Sequence, residues 1–294
     1  MIHGVLRLVG FASLTFILLL SGCSDDGDTG GTGGSSGTGG DGGSGGAADV
    51  ALRILVTNDD GFRADGIDAV VEALAENPAN EIIVSAPDVN RSGSGDMTDC
   101  NGDDPLVGVE GETLSGFPAT AVNGCPADAV NYALDNLYPA DDPPDVVLSG
   151  INEGQNVGNL PPVGLLSQIS GTVGAAKTAA RRGVPALASS QGDGEPFDYP
   201  AGVDEVLQWL AVNRTAIAEG TLPIATIDSI NIPTCRGSSI RNPLDPLPVP
   251  LGTENPNGFV LSGTQDCDAI GIDPDTDINA FFTGYVTITE VPAE

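Results

Sequence analysis

The 294-residue chain is poor in the side chains that bind anions or shuttle protons near neutrality. It has a single histidine, His3, and a single lysine, Lys177, with ten basic residues in all against 41 acidic ones, for a formal charge of −31. His3 lies in a segment expected to be removed. The mature chain therefore lacks a Ser-His-Asp or Cys-His pair, and histidine-rich zinc sites are excluded with it. A catalytic metal would have to be held by oxygen, which selects hard cations such as Mg²⁺, Mn²⁺ or Ca²⁺. The shortage of basic residues also excludes the electrostatic footprint that duplex nucleic acid requires. An anionic substrate is left to a bound cation and to backbone amides.

Long apolar runs are lacking too. Residues 1–22 carry Arg7, an apolar stretch from Phe11 to Leu20, and then Leu20-Ser21-Gly22-Cys23. The stretch is too short to span a bilayer and reads as a signal peptide. Leu-Ser-Gly-Cys resembles the bacterial lipobox, which implies that Cys23 is lipidated and becomes the mature N-terminus. Ser24 after that cysteine implies, by the same resemblance, anchoring at the outer membrane. The expected product is an exported lipoprotein facing the periplasm or the cell surface, tethered through Cys23. Residues 24–46 contain only Gly, Ser, Thr and Asp. They cannot bury apolar surface and read as a flexible linker with a reach of about 25–30 Å. The organisation expected is thus a signal peptide (1–22), a lipidated cysteine with linker (23–48) and one globular domain (49–294), long enough for its own core.

Four further cysteines, Cys100, Cys125, Cys235 and Cys267, show neither zinc-knuckle nor Cys-x-x-Cys spacing. An even count in an exported chain suggests two disulfides, with three possible connectivities. Loops of moderate length favour Cys100–Cys125 and Cys235–Cys267.

Strand-like and helix-like stretches alternate along the domain. Apolar runs at Leu52–Thr57, Glu81–Ala86, Asp145–Leu148, Val184–Ala188, Thr226–Ile232 and Gly284–Thr289 read as strands. Gly66–Glu76, Pro126–Leu137, Gly171–Arg182 and Val203–Ile217 read as helices, the first with Ile67, Val70, Val71 and Leu74 on one face. This pattern predicts an α/β fold: a Rossmann-like, mostly parallel sheet with helices on both faces, followed by a β-rich C-terminal extension.

Polar clusters sit where the strands end. The first strand runs into Asn58-Asp59-Asp60-Gly61. Two adjacent carboxylates at the carboxyl end of a strand either share a cation or cap a helix. The second strand runs into Ala86-Pro87-Asp88-Val89-Asn90-Arg91-Ser92-Gly93, and the third into Ser149-Gly150-Ile151-Asn152-Glu153-Gly154-Gln155-Asn156. In a parallel sheet these loops converge on one edge, where two carboxylates, a hydroxyl and an amide oxygen can surround a single hard cation. A fourth segment, Ser170-Gly171-Thr172-Val173-Gly174, opens a helix whose free N–H groups suit phosphate, although Ser170 also suits a plain N-cap. Gly171–Thr178 misses the phosphate-cradling P-loop because Ala176 stands at its second glycine. Lys177 is expected on the helix surface.

Taken in order, Ile54–Gly61, Ala86–Gly93, Asn123-Gly124-Cys125-Pro126-Ala127-Asp128, Pro144–Asn156, Ser170–Ala176 and Thr276–Thr289 resemble the SurE (survival protein E) family of metal-dependent phosphatases acting on nucleoside monophosphates. The resemblance implies one divalent cation, Mg²⁺ or Mn²⁺ with Ca²⁺ also admitted, held by Asp59, Asp60, Ser92 and Asn152. It assigns the substrate phosphate to Ser170, Gly171 and Thr172, with Asn156 beside them, and the proton handling to Asp59. The implied activity is a 5'-nucleotidase or acid phosphatase acting on a nucleotide or other phosphate monoester. The alternative is a lipoprotein that binds nucleotides without hydrolysing them. Three departures stand out. Val157–Ile169 is longer than the family's link and ends in Gln168-Ile169, which bears on substrate choice. Cys125 replaces a threonine. The helical tail used by the family in subunit exchange has no counterpart before Glu294, so homo-oligomerisation by that route is not expected.

Overall fold

The computed structural model describes residues 50–160, 169–255, 257–259 and 263–294. The expected signal peptide, the Cys23 anchor and the linker lie outside the described residues, as do positions 161–168 of the Val157–Ile169 link.

Among the described residues nine strands form one sheet. In chain order the elements are β1 (Leu52–Thr57), α1 (Asp65–Ala75), β2 (Asn80–Pro87), β3 (Gly108–Glu112), β4 (Pro118–Val122), α2 (Pro126–Asn136), β5 (Val146–Glu153), α3 (Gly171–Arg181), β6 (Ala186–Gln191), α4 (Tyr199–Ala218), β7 (Thr226–Ile232), β8 (Leu247–Pro248), α5 (Asp277–Phe282) and β9 (Thr287–Pro292). The strand order is β3-β4-β2-β1-β5-β6-β7-β9-β8. Strands β4, β2, β1, β5, β6 and β7 run parallel, while β3 and β9 are antiparallel to their neighbours β4 and β7. This is the α/β architecture expected, with β7, β9 and β8 as the C-terminal extension.

Alternation along β1 explains the two layers. Leu52, Ile54 and Val56 point to one face, where Ile67, Val70, Val71 and Leu74 of α1 meet Val206, Trp209 and Leu210 of α4. Leu55 points to the other face, against Val130 and Ala133 of α2 and the small Val173, Ala176 and Ala180 of α3. Small residues bring α3 close to the sheet, so its N-terminus arrives beside the strand ends.

Several boundaries move. β5 continues past Leu148 through Glu153, and β6 runs to Gln191 rather than stopping at Ala188, so their polar residues remain paired inside the sheet. The last strand begins at Thr287, not Gly284. The hairpin β3–β4 has no apolar alternation to announce it, since Gly108–Glu112 reads GVEGE and is largely exposed. It is tied down instead by Ser115, which donates to the Asp68 carboxylate of α1 from its N–H and Oγ at 2.9 and 2.8 Å. Lys177 corrects the expectation of a surface lysine: it is 6% exposed, on a helix buried almost all round.

The disulfides pair Cys100 with Cys125 and Cys235 with Cys267. Beyond β7 a small satellite core of Val157, Ile278, Phe281 and Phe282 forms around α5. The Asp277 carboxylate anchors it by accepting from the N–H groups of Gly158, Gly252 and Ile278 at 2.6–2.8 Å.

Candidate active site

The first strand end is shaped by Asn58. Its amide accepts from Gly61 N–H at 3.2 Å and donates to Gly61 carbonyl at 3.0 Å, closing a tight turn. Asp59 and Asp60 are carried on that turn. Asp59 is 3% exposed, and its Oδ1 accepts from the Thr172 hydroxyl at 2.6 Å. Asp60 accepts from Glu153 N–H at 2.9 Å and from the Asn90 side chain at 3.1 Å.

Asn90 does double duty, because its Oδ1 also accepts from Ser92 N–H at 2.9 Å and so sets the loop that presents Ser92. The Arg91 amide closes the same loop onto the Asp59 carbonyl at 2.6 Å. On β5, Gly150 adopts φ +128°, and an added Cβ would stand 2.3 Å from the Ser189 carbonyl oxygen. Only glycine fits there. The register to β6 shifts between Ser149 and Asn152, which re-aims Asn152 and Glu153. Asn152 donates to Gly154 carbonyl at 2.6 Å, leaving its amide oxygen as an acceptor. Asn156 is held from both sides: its N–H donates to Asn231 Oδ1 at 2.7 Å and its side chain to Ser190 Oγ at 2.9 Å.

The fourth segment opens α3. Ser170 is its N-cap, accepting from Val173 N–H at 3.1 Å. Gly171 packs directly on Asp59, where a Cβ would lie 2.8 Å from the carboxylate Oδ2. Asp59, Ser92, Asn152, Asn156 and Ser170 line one cleft of about 280 Å³, together with Asp193. Asp60 sits beside that cleft on the Glu153 amide. Gly171 and Thr172 lie behind Asp59, with the Thr172 hydroxyl spent on the carboxylate. Two larger clefts, of about 700 Å³ beside Trp209 and about 740 Å³ beside β2 and the hairpin, do not gather the strand-end loops.

Electrostatics single out the aspartate pair. Burial drives the proton affinity of Asp59 up, partly offset by its hydrogen bonds to Thr172 and the neighbouring amides. Burial and the Asp59 charge push Asp60 up to about 7. Two largely desolvated carboxylates of like charge are a local cost that a cation reverses. The free oxygen of Asn152 and the unbonded Ser92 hydroxyl add neutral oxygen donors, so the set suits a hard divalent ion. Among the described residues no three of His, Cys, Asp or Glu gather as a metal cluster.

Sequence reading missed the supports: Asn90, Glu153 through its amide, Ser190 and Asn231. All except Glu153 are neutral polar residues in segments that also read as ordinary loop or strand. Asn90 and Glu153 carried a signal, the first two residues before Ser92 and the second directly after Asn152 in the quoted loops.

Known proteins match this chain along most of its length. Residues 54–244 match the family model described as survival protein SurE. A protein from Pelotomaculum thermopropionicum named 5'-nucleotidase SurE is 35% identical over 82% of this chain and 89% of its own length. One of the same name from Pelobacter propionicus is 37% identical over 66% of this chain and 70% of its own. The crystal structure of the SurE protein from Aquifex aeolicus superposes with a TM-score of 0.61 at 26% identity, covering 82% of this chain and 94% of that one.

Proposed function

The chain belongs to the survival protein SurE family, and from that premise we propose that it is a metal-dependent 5'-nucleotidase that hydrolyses phosphate monoesters. The observation that carries this reading is the convergence of Asp59, Ser92, Asn152 and Ser170 on one cleft, with Asp60 bonded at its side. Asp59, Asp60, Ser92 and Asn152 would hold one divalent cation, Mg²⁺ or Mn²⁺. Such an ion supplies Lewis acidity, lowering the pKa of water and polarising a phosphoryl oxygen.

The remaining work falls to the chain's own groups. Asp59 would also take the proton from the attacking water, a role supported by its burial and raised proton affinity. Ser170 and Asn156 orient the phosphate in the cleft. Ser170 brings the N-terminal end of α3 to the same cleft, where the positive dipole end would favour the charge that builds on the equatorial oxygens. The absence of imidazole and the scarcity of cationic side chains leave this as the consistent route for an anionic substrate. We further propose that the protein acts outside the cytoplasm, held to the outer membrane by a lipid on Cys23.

The test is phosphate release from AMP, GMP and an aryl phosphate with Mg²⁺, with Mn²⁺ and with chelator, beside Asp59→Asn. Turnover that requires metal is expected, with Asp59→Asn at least a thousandfold slower and its metal-free melting temperature nearly unchanged. Folded protein that turns over no monoester with any metal would reject the hydrolase. Tight AMP binding without product would favour the binding lipoprotein in its place.

A further inference from the structure

Beside the phosphate cleft lies a second cavity of about 390 Å³, and Asp193 lines both. Gln155, from the wall of the first cleft, donates to Asp193 Oδ2 at 3.2 Å and accepts from its N–H at 3.0 Å, so the two spaces meet at one residue. The second cavity is built by the segments that follow β6 and β7 and by the stretch Gly263–Gln265, and the Cys235–Cys267 disulfide ties the segment after β7 to that stretch. Thr234 and Arg236 flank one half-cystine, and Gln265 stands two residues before the other.

The inner wall is already satisfied. Gln265 accepts from Thr234 N–H at 2.8 Å and donates to the Gly263 and Asp193 carbonyls, while the Thr234 hydroxyl donates to Gly192 carbonyl at 2.7 Å. Three functional ends remain at the rim. Phe197 offers a ring, stacked on Tyr199 with centroids 5.5 Å apart. Glu195 is exposed with no hydrogen bond to another described residue. Arg236 is the one arginine among the described residues that makes no hydrogen bond, ion pair or ring contact. An unpaired cation is conspicuous on a chain of charge −31, where acidic partners are plentiful.

Resting on the nucleotidase reading, we propose that this cavity is the nucleobase subsite and that it selects 6-oxopurines. The guanidinium of Arg236 donates to O6 and N7, the acceptor pair that arginine engages best. Glu195 accepts from N1–H, and Phe197 covers a face of the ring. Adenine presents a donor amino group where the oxo acceptor should be, so it leaves Arg236 and Glu195 mismatched. Position supports the assignment: one ribose separates base from phosphate, and one residue separates the two cavities. The disulfide gives the subsite a rigid wall that needs no help from the phosphate cleft.

The test compares kcat/KM for GMP, IMP, AMP and ribose 5-phosphate, which has no base, in the wild-type protein, Arg236→Ala and Phe197→Leu. The wild type is expected to prefer GMP and IMP to AMP by about tenfold or more. Arg236→Ala should bring that ratio close to one while ribose 5-phosphate changes less than twofold. Phe197→Leu should weaken all three nucleotides and spare ribose 5-phosphate. Equal wild-type rates on GMP and AMP overturn the proposal, as does an Arg236→Ala loss of equal size on ribose 5-phosphate. If no monoester is turned over, the hydrolase reading fails separately. The subsite is then decided by calorimetric Kd values for GMP and AMP, with the same ratio expected in the wild type and the same collapse in Arg236→Ala.

Discussion

At the scale of single residues, the arrangement rests on neutral groups that hold charged ones in place. Thr172 is fully buried and spends its hydroxyl on Asp59 Oδ1, so it fixes the carboxylate's rotamer. Partners of this kind are worth about ten- to a hundredfold in activity when removed. Thr172→Val is therefore expected to lower kcat by that factor at saturating metal, with Thr172→Ser restoring most of it; the hydroxyl, not the methyl, carries the effect. A steady-state comparison of the three proteins decides it. Asn90 has a parallel role, since one side chain bonds both Asp60 and the Ser92 amide.

At the scale of elements, β5 is the piece whose shape matters most. A regular strand through Glu153 would keep Asn152 and Glu153 in step with β6. The shift at Gly150 breaks that step and delivers the Glu153 amide to Asp60. Gly150→Ala meets both a left-handed φ and a backbone oxygen 2.3 Å from the new Cβ. The expected cost is about 3 kcal/mol or more, or roughly 6–12 °C in melting temperature. Thermal unfolding followed by circular dichroism measures it. The hairpin β3–β4 has lighter fastenings, and one of them is covalent nearby: Cys125 is at once the N-cap of α2 and half of the Cys100–Cys125 bridge. Each bridge adds about 3–4 kcal/mol on the chain-entropy account. Reductant is thus expected to lower the melting temperature by roughly 6–16 °C per bridge opened. Paired Cys→Ser variants would assign the loss.

At the scale of the whole molecule, charge and burial act together on the pH dependence of stability. Burial raises the proton affinity of Asp128, Glu205, Asp228 and Asp277. A carboxyl whose folded pKa is raised favours the fold below its unfolded value of 3.8 to 4.5 and loses that contribution as pH climbs through the folded value. Asp68 works in the opposite sense: burial raises it, but hydrogen bonds from Thr113 and Ser115 outweigh this, and its contribution is lost as pH falls. Asp59 and Asp60 add to the four, the latter pushed up to about 7, so six groups against one, with mutual repulsion at −31, make the chelated protein less stable at pH 8 than at pH 5. A melting series should show the fall, and Glu205→Gln should flatten it while matching the wild type near pH 4. A melting temperature that rises across this interval would contradict the account.

Local chemistry alone determined the alternation of β-branched strands and amphipathic helices, hence the doubly covered parallel sheet. It also determined that a metal in the domain must be met by oxygen, because no histidine follows His3. The carboxylate pair and the helix-opening Ser170-Gly171-Thr172 were legible for the same reason: turn, cap and strand end are set by a few neighbouring residues. The hairpin was not legible, because exposed GVEGE becomes a strand only when Pro118–Val122 lies beside it. Nor was the burial of Lys177, which depends on what packs around α3 and not on the helix's own pattern. Tertiary structure alone decided which loops share a cleft, that Thr172 serves Asp59, and that Arg236 stands beyond the cleft's Asp193 wall with no partner among the described residues. Those facts depend on contacts between segments up to 113 positions apart, and no local preference encodes a distance of that kind.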